Sequence, residues 1–496
     1  MPSVASVPSV DVETSSNQVD PEVSASRWWP TGAFVIGAAF AVAGFWIGLG
    51  RLSDNSFFTH LATGRLILDH GIPRTDPYSF TANGEPWVVQ SWLASVVFAW
   101  TDSWFGAQGL RVLAGALTAG LAAMTWRLTR PAHTIVGRIL IAAAVVGIGG
   151  STWAPRPLLF GLLCVTLTLL AAEKGLDPRW LVPVFWLWVN CHGSFPLGLV
   201  LLGCLWVGRR ADGDSGTLEW RCLKWAALGT ALGAVNPLGP ALLTFPIRLL
   251  GRFDVLRQVV EWQSPSFSLG WTRLFLLEVA VAVVVLVRRP SYRSALPLVV
   301  FVIAALLGAR NIAVASLILV PGLARGLADI GSVRATKRSP AAGIALAGIV
   351  LAAAVIAQSA LSQPAYDLAT YPVEAVAWIN ANHLRQSGTH LVTSDSNGNY
   401  LELLSGIHAD VFIDDRVDMF PKSVVADLVT LIHGGLDWRD VLDRNGSDLV
   451  VWGRAKPLTA LMAESPDWRI LYQDADWSIG CRRGAELGGT GNLSRC

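Results

Sequence analysis

The sequence predicts a polytopic α-helical membrane protein with about eleven transmembrane helices and a C-terminal extracytoplasmic α/β domain. Three observations predict it. Of 496 residues, 52% are hydrophobic and only 15% are charged, with a mean hydropathy of +0.47, whereas soluble domains carry roughly a quarter charged residues. Apolar runs near the ~20 residues that cross a bilayer recur along residues 31–360. Beyond residue 371 the pattern changes to short helices alternating with short strands.

Residues 1–28 are acidic and rich in Ser and Val, without an apolar run, and read as a disordered cytoplasmic tail. A cleavable signal peptide would begin with a basic region instead. Clear spans follow at 31–50, 110–128, 272–287 and 341–360. Shorter apolar runs come in pairs: 139–151 with 158–172, 181–189 with 195–207, and 296–307 with 312–323. The pairs are broken by Arg156-Pro157, by Asn190-Cys191-His192-Gly193 and by Arg310-Asn311. A span at 223–235 leads into Asn236-Pro237-Leu238-Gly239. Polar breaks at membrane depth survive only where protein or a watery cavity covers the freed backbone groups. An internal cavity reached from one face is therefore expected.

The net charge of +2 gives no reason to expect a nucleic-acid partner; the placement of the cations says more. Connections 127–138, 174–179, 209–224, 288–293 and 325–338 are short and rich in Arg or Lys, the cytoplasmic signature. With the N-terminus inside, the breaks at Arg156, His192 and Arg310, the stretch 237–271 and the C-terminal domain all fall on the outer face. The expected organisation is a transmembrane domain at 29–362 with a long outer loop at 51–108. A soluble extracytoplasmic α/β domain follows at 363–484, then a flexible tail at 485–496. Four of the six cysteines (Cys164, Cys191, Cys204 and Cys222) lie in or beside apolar segments without metal-binding spacing, as buried small hydrophobes do. Cys481 and Cys496 could pair if their region is exported.

The long loop opens with Asp54. Phe57, Leu61, Gly64 and Leu68 then recur at helical spacing, which predicts a helix lying in the interface. Pro73 and Pro77 end it, and a second amphipathic stretch at 90–105 carries Trp92, Trp100 and Trp104 as interface anchors. In the C-terminal region strands are expected at 390–394, 411–414, 448–452, 468–472 and 477–481, with helices between them. That alternation predicts a small, largely parallel sheet. Ser394-Asp395-Ser396-Asn397-Gly398-Asn399 follows the first strand, where ligands gather in such folds, but lacks the glycine pattern of a dinucleotide loop.

Several strings carry a resemblance. They are Phe58-Thr59-His60-Leu61-Ala62-Thr63-Gly64, Ile72-Pro73-Arg74-Thr75-Asp76-Pro77-Tyr78-Ser79-Phe80 and Trp188-Val189-Asn190-Cys191-His192-Gly193. Asn236-Pro237-Leu238-Gly239, Glu261-Trp262-Gln263-Ser264-Pro265 and Phe412-Ile413-Asp414-Asp415-Arg416 complete the set. With the topology, they resemble the GT-C superfamily of integral membrane glycosyltransferases, in particular its largely uncharacterised bacterial members. The resemblance implies transfer of a sugar from a polyprenyl-phosphate-linked lipid donor to an envelope glycan, lipid or protein, at the outer face of the bacterial cytoplasmic membrane. It also implies that an acidic residue of the first outer loop acts as general base, and Asp54 occupies that position. Many members carry two adjacent acidic residues there. This chain has Asn55 second, so the resemblance implies no certain cofactor and leaves a divalent metal open.

Each candidate has a plainer alternative. Asp54 is the expected catalytic base, or the N-cap of the helix that follows. His60 and Arg65 on that helix are candidates for substrate binding, though His60 would equally anchor the helix. Asp76 offers a second carboxylate, or the ordinary turn role of Asp before proline. Arg156, His192 and Arg310 sit at polar breaks where ionisable groups are costly and usually functional. Arginine there suits a phosphate, or pairs with Asp54, Asp76 or Glu261. Asp414, Asp415 and Arg416 end an expected strand, closing over the site or forming a structural ion pair. Two other classes fit the same topology: a transporter or flippase of a lipid-linked precursor, and a non-catalytic envelope scaffold. Against the transporter, no internal repeat is visible.

Overall fold

The computed structural model describes residues 29–257, 260–328, 338–386, 388–489 and 495–496; the expected N-terminal tail lies outside them. α1 (Gly32–Gly48) runs along α3 (Trp92–Leu128). Their backbones meet through small residues, as membrane helices do: a Cβ on Gly48 would fall 2.4 Å from the Ala114 carbonyl oxygen. α3 turns a corner at Gly106 (φ 61°, ψ −169°), a conformation open to glycine. The expected interface stretch 90–105 and the span 110–128 are thus one bent element.

Then follow α4 (Ile135–Thr152), α5 (Leu158–Ala172), α6 (Leu181–Cys191), α7 (Pro196–Ala211), α8 (Thr217–Leu232) and α9 (Ala241–Leu250). α10 (Gly270–Arg288), α11 (Tyr292–Leu307), α12 (Ile312–Gly326) and α13 (Pro340–Leu361) complete the apolar region. Among the described residues α3, α4, α10 and α13 are long and apolar enough to cross a membrane, and α1, α5, α9 and α11 are shorter apolar helices. The run 139–151, which reads as half-length, belongs to the full-length α4 because Ile135–Arg138 extend it backward. α12 is buried almost all round, from Ile312 to Ala324. α13 is the opposite: its most apolar window is 6% buried, as expected of a helix whose surroundings are lipid.

The helix after Asp54, α2 (Asn55–His70), is not the interface helix its spacing predicts. Phe57, Phe58, Thr59, Leu61, Ala62, Thr63 and Gly64 are all buried, while Leu68 is exposed. α2 is packed between the first half of α3 and α15 (Asp395–Ser405). A cover contributed from so far along the chain leaves no local trace. Gly64 allows the close approach, since a Cβ there would sit 1.9 Å from the Ser95 carbonyl oxygen.

The C-terminal region adds α14 (Val373–Ala381), α16 (Lys422–His433), α17 (Trp438–Arg444) and α18 (Pro457–Glu464) around a four-stranded sheet. Its strands are β1 (Leu391–Val392), β2 (Leu449–Gly453), β3 (Trp468–Gln473) and β4 (Trp477–Arg482), in the order β1-β2-β4-β3. The expected largely parallel sheet is not what forms. β1 and β2 pair in parallel, but β4 is antiparallel to both its neighbours; for β3 and β4 the short turn between them allows nothing else. Nor is 411–414 a strand: Val411 makes isolated bridges to Ser79 and Leu391. The Tyr78 carbonyl accepts the Val411 N–H at 2.9 Å, and the Phe412 carbonyl accepts the Thr81 hydroxyl at 2.5 Å.

The long loop and the C-terminal region consequently share one core, in which Phe57, Phe58 and Leu61 pack with Tyr371, Leu391, Tyr400 and Leu401. Leu52 adds backbone bonds to Ala365 and Asp367. The expected flexible tail is docked in its described part. Ala485 and Leu487 are buried, and Cys496 is bonded to Cys481. Cys164, Cys191, Cys204 and Cys222 are free thiols, and all but the half-buried Cys204 are buried.

Candidate functional site

Asp54 sits where α2 begins. One carboxylate oxygen accepts the Phe57 N–H at 3.2 Å, capping the helix, and the other accepts Arg156 Nε at 2.5 Å. Arg156 lies in the turn between α4 and α5, and its Nη1 donates to Glu261. Three segments distant in sequence thus meet through one guanidinium. The Asp54 and Arg156 side chains keep 11% and 24% of their surface exposed, so the pair is dry enough to be strong yet reachable from solvent. Burial works against the Arg156 charge, but Asp54 and Glu261 outweigh it and hold its pKa above the ordinary value. Glu261 is likewise desolvated, which alone would raise its pKa; the charge and hydrogen bond of Arg156, with the charge of Arg310, bring it below the ordinary value.

Arg310 stands beside this chain of charges. The Ala309 N–H donates to the Gln263 carbonyl at 2.9 Å, which brings the short helix Ala309–Asn311 against the Glu261 segment. The Arg310 guanidinium lies over the Trp262 ring at 4.4 Å. Among the described residues it has no hydrogen-bond acceptor and no carboxylate in contact. Burial, together with repulsion from Arg156, lowers its pKa against the pull of Glu261 and Asp418.

Two histidines face the same neighbourhood. His60 Nδ1 is 3.1 Å from the Ser95 hydroxyl. His192 Nδ1 accepts the Ser194 N–H at 3.2 Å and lies 2.8 Å from the Ser194 hydroxyl. Both are pushed down to about 3, first by burial and then by nearby cations: Arg156 and Arg416 for His60, Arg310 for His192. They are neutral imidazoles at any physiological pH. The string around His192 is held by the start of α3 and the turn before it: Gln90 Oε1 accepts the Gly193 N–H at 2.8 Å, and Trp92 Nε1 donates to Asn190 Oδ1 at 3.0 Å.

The C-terminal region contributes a carboxylate that the sequence offers only as part of the strand-end triplet Asp414-Asp415-Arg416. Asp415 bonds to the Ser56 side chain, and burial together with the charge of Asp414 pushes its pKa up to about 7. Its backbone N–H donates to Asn399 Oδ1 at 3.1 Å. A Cβ on Gly398 would sit 2.1 Å from the Ile413 carbonyl oxygen, so the Ser394–Asn399 string positions this loop. Nearby Asp418 is pushed up to about 6, chiefly by burial. Tyr371, whose hydroxyl donates to the Ser53 carbonyl at 2.9 Å, feels the charges of both Asp54 and Asp415. Two adjacent carboxylates directly after the apolar run Val411-Phe412-Ile413 were the available signal.

Two expected site residues lie elsewhere. Asp76 is 2% exposed, with one oxygen accepting the Ser79 N–H and hydroxyl and the other accepting Arg416 Nη2 at 2.7 Å. Arg416 also holds Asp414 at 2.5 Å and lies over the Trp87 ring at 4.3 Å. Glu402 accepts the Thr59 hydroxyl at 2.6 Å at the edge of this knot. Arg65 pairs with Asp102 at 2.7 Å on a more exposed surface of α2. The structure therefore gathers Asp54, Arg156 and Glu261 in direct contact, with His60, His192 and Arg310 around them, and leaves Arg65 and Asp76 outside. Among the described residues, no three His, Cys, Asp or Glu side chains gather as a metal ligand set.

No family model matches this sequence, and no curated protein matches it. Among solved structures, that of ArnT from Cupriavidus metallidurans bound to undecaprenyl phosphate is similar to 93% of this chain and 98% of its own, at 12% identity and a TM-score of 0.45.

Proposed function

We propose that this chain is an integral membrane glycosyltransferase that moves a sugar from a polyprenyl-phosphate-linked donor to an acceptor hydroxyl on the face that carries Asp54. The observation that carries this reading is the half-open cluster in which Asp54 and Glu261 flank Arg156, while the neighbouring Arg310 has no carboxylate in contact among the described residues. An arginine stacked on a ring and lacking an acceptor is suited to a phosphate, which its planar fork binds in two-point fashion. The strings shared with the GT-C group, including those that hold His192, Glu261 and Asp415, support the same reading.

In this mechanism Arg310 and Arg156 hold the donor phosphate, and Asp54 takes the proton of the acceptor hydroxyl. The acceptor oxygen forms its bond to the anomeric carbon as the bond from that carbon to the phosphate oxygen breaks. The electron pair leaves on the polyprenyl phosphate, where the two guanidiniums stabilise the developing charge. The helix-capping bond of Asp54 does not preclude this role, since each carboxylate oxygen has two lone pairs. Asp415 supplies the second carboxylate that Asn55 does not. The neutral imidazoles of His60 and His192 have no hydrogen bond at Nε2 among the described residues, and there they address sugar hydroxyls.

The test is transfer by the purified full-length protein in nanodiscs containing polyprenyl-phosphate-linked sugars, with products read by mass spectrometry. Asp54→Ala and Arg310→Ala should each abolish the product. If both retain full transfer, the proposal fails. Movement of the intact donor across liposomes without a covalent product would select the transporter instead.

A further inference from the structure

The opposite end of the helix bundle carries a second site, independent of the transfer reading. There the ends of α5, α7, α10 and α12 and the starts of α8 and α11 surround a cavity of about 560 Å³, within the size range of small-ligand sites. Its lining includes Arg209, Arg289, Arg293, Arg325 and Lys174, against the carboxylates of Glu173 and Glu219. These residues belong to the cation-rich connections that the sequence marks as one face of the membrane.

Both carboxylates are already committed. Arg293 is 6% exposed, and its guanidinium donates to Glu219 at 2.8 Å, to Glu173 at 2.7 Å and to the Ala172 carbonyl at 3.0 Å. Arg325 takes both oxygens of Glu173 at 2.9 Å. Arg209 reaches Glu219 only at 3.7 Å and leans on Asp214 at 3.3 Å. Lys174, exposed and in a left-handed conformation (φ 60°) after α5, has no carboxylate in contact among the described residues. Among the described residues the lining carries five cations and two carboxylates, with Asp212 and Asp214 at its edge, so positive charge is in modest excess.

Its walls are apolar. Leucines of α5, α7, α10, α11 and α12 line it between the helices. A cationic rim over an apolar cleft matches an amphiphile with a phosphate head and a hydrocarbon body, the chemistry by which juxtamembrane basic pockets hold anionic lipids. A free phosphate would use the rim and leave the cleft unfilled.

We propose that this cavity binds the phosphate headgroup of an anionic membrane lipid at the rim formed by Lys174, Arg209, Arg289 and Arg325, with an acyl chain in the apolar cleft. The experiment is lipid retention by the full-length protein in detergent, followed by native mass spectrometry. Phosphatidylglycerol and phosphatidylcholine are compared, and inorganic phosphate is added as competitor. The variant pair is Lys174→Gln with Arg289→Gln; both side chains are exposed and outside the buried Arg293 network. Preferential retention of phosphatidylglycerol by the wild type, reduced on the order of tenfold in the double variant, is expected. If the double variant does not fold, Lys174→Gln alone should show a smaller loss of the same preference. Equal retention of the two lipids, an unchanged preference in a folded variant, or displacement of the lipid by millimolar inorganic phosphate would each overturn the proposal.

Discussion

Two arginine–carboxylate clusters lie close together in this molecule and are built to opposite ends. Around Arg416 the arrangement is closed. The guanidinium side chain is 8% exposed, its partners Asp76 and Asp414 are 0% exposed, and an aromatic ring covers its face. Around Arg156 it is open: the guanidinium is 24% exposed and Glu261 42%, while the neighbouring Arg310 has no carboxylate in contact among the described residues. Buried charges in contact cannot exchange partners without a large desolvation cost, so the Arg416 knot ties the long loop to the C-terminal region. A half-open cluster can admit a new anion at modest cost. The difference separates structural charge from candidate functional charge more sharply than residue type does.

The largest effects should come from opening the knot. Arg416→Ala leaves Asp76, Asp414 and Glu402 buried without their cation, which should cost about 3–5 kcal/mol of stability. A thermal unfolding experiment in detergent measures it, and a loss under about 1 kcal/mol would erase the contrast. Arg156→Ala should cost far less stability while removing transfer, because its partners can turn to water.

Next come the residues of the open cluster. Asp54→Ala and Arg310→Ala should lower transfer by roughly 10²–10⁴-fold. For Asp54 the cap and the base can be told apart. Asp54→Ala should also lose about 1 kcal/mol from the N-terminus of α2, whereas Asp54→Ser keeps the cap and still lacks a base. A Ser variant that is stable and inactive supports the catalytic role. A Ser variant with wild-type transfer would make Asp54 a capping residue only.

A pH series sharpens the comparison further. Asp415 titrates near 7 in the folded chain and near ~3.9 when unfolded. Between those values the folded state binds more protons, so this group's contribution to stability falls as pH rises. Asp418, at about 6, acts with the same sign. His60 and His192, at about 3, bind fewer protons folded than unfolded up to ~6.5, so their contribution rises with pH. The opposing slopes offset one another through the mildly acidic range. Asp415→Asn should tilt the wild-type stability curve upward between pH 4 and 7, seen in unfolding midpoints across buffers. If Asp415 also serves in proton transfer, activity should rise with pH through about 7, and the variant should lose that rise.

Much of this was legible in the sequence, and the exceptions share a cause. The polar breaks at Arg156 and Arg310 stand out because apolar runs flank them, and the cation-rich loops place them on one face with Asp54. Asp415 reads only as one of three charges ending a strand, because an apolar run ending in carboxylates looks like a strand edge, whereas the segment is held by Tyr78, Thr81 and Asn399. Asp76 reads as a candidate until its partner is known, and that partner, Arg416, is 340 residues away in sequence. The burial of α2 depends on α15, equally distant. Local pattern reports what a segment can do; long-range packing decides which of those things it does.

The smallest expected effect belongs to Arg65, a sequence candidate that lies outside the open cluster. It bonds to Asp102 at 2.7 Å and to the Leu403 carbonyl at 3.4 Å, with its side chain 43% exposed. An ion pair that wet is worth about 0–1 kcal/mol once side-chain entropy and solvent screening are counted. Arg65→Ala should therefore leave transfer unchanged and shift the unfolding midpoint slightly, a shift that high salt reproduces in the wild type. Loss of transfer with unaltered stability would place Arg65 in the path of a substrate. The boundary between structural and functional charge would then have to be drawn around α2 as a whole, not around Arg156.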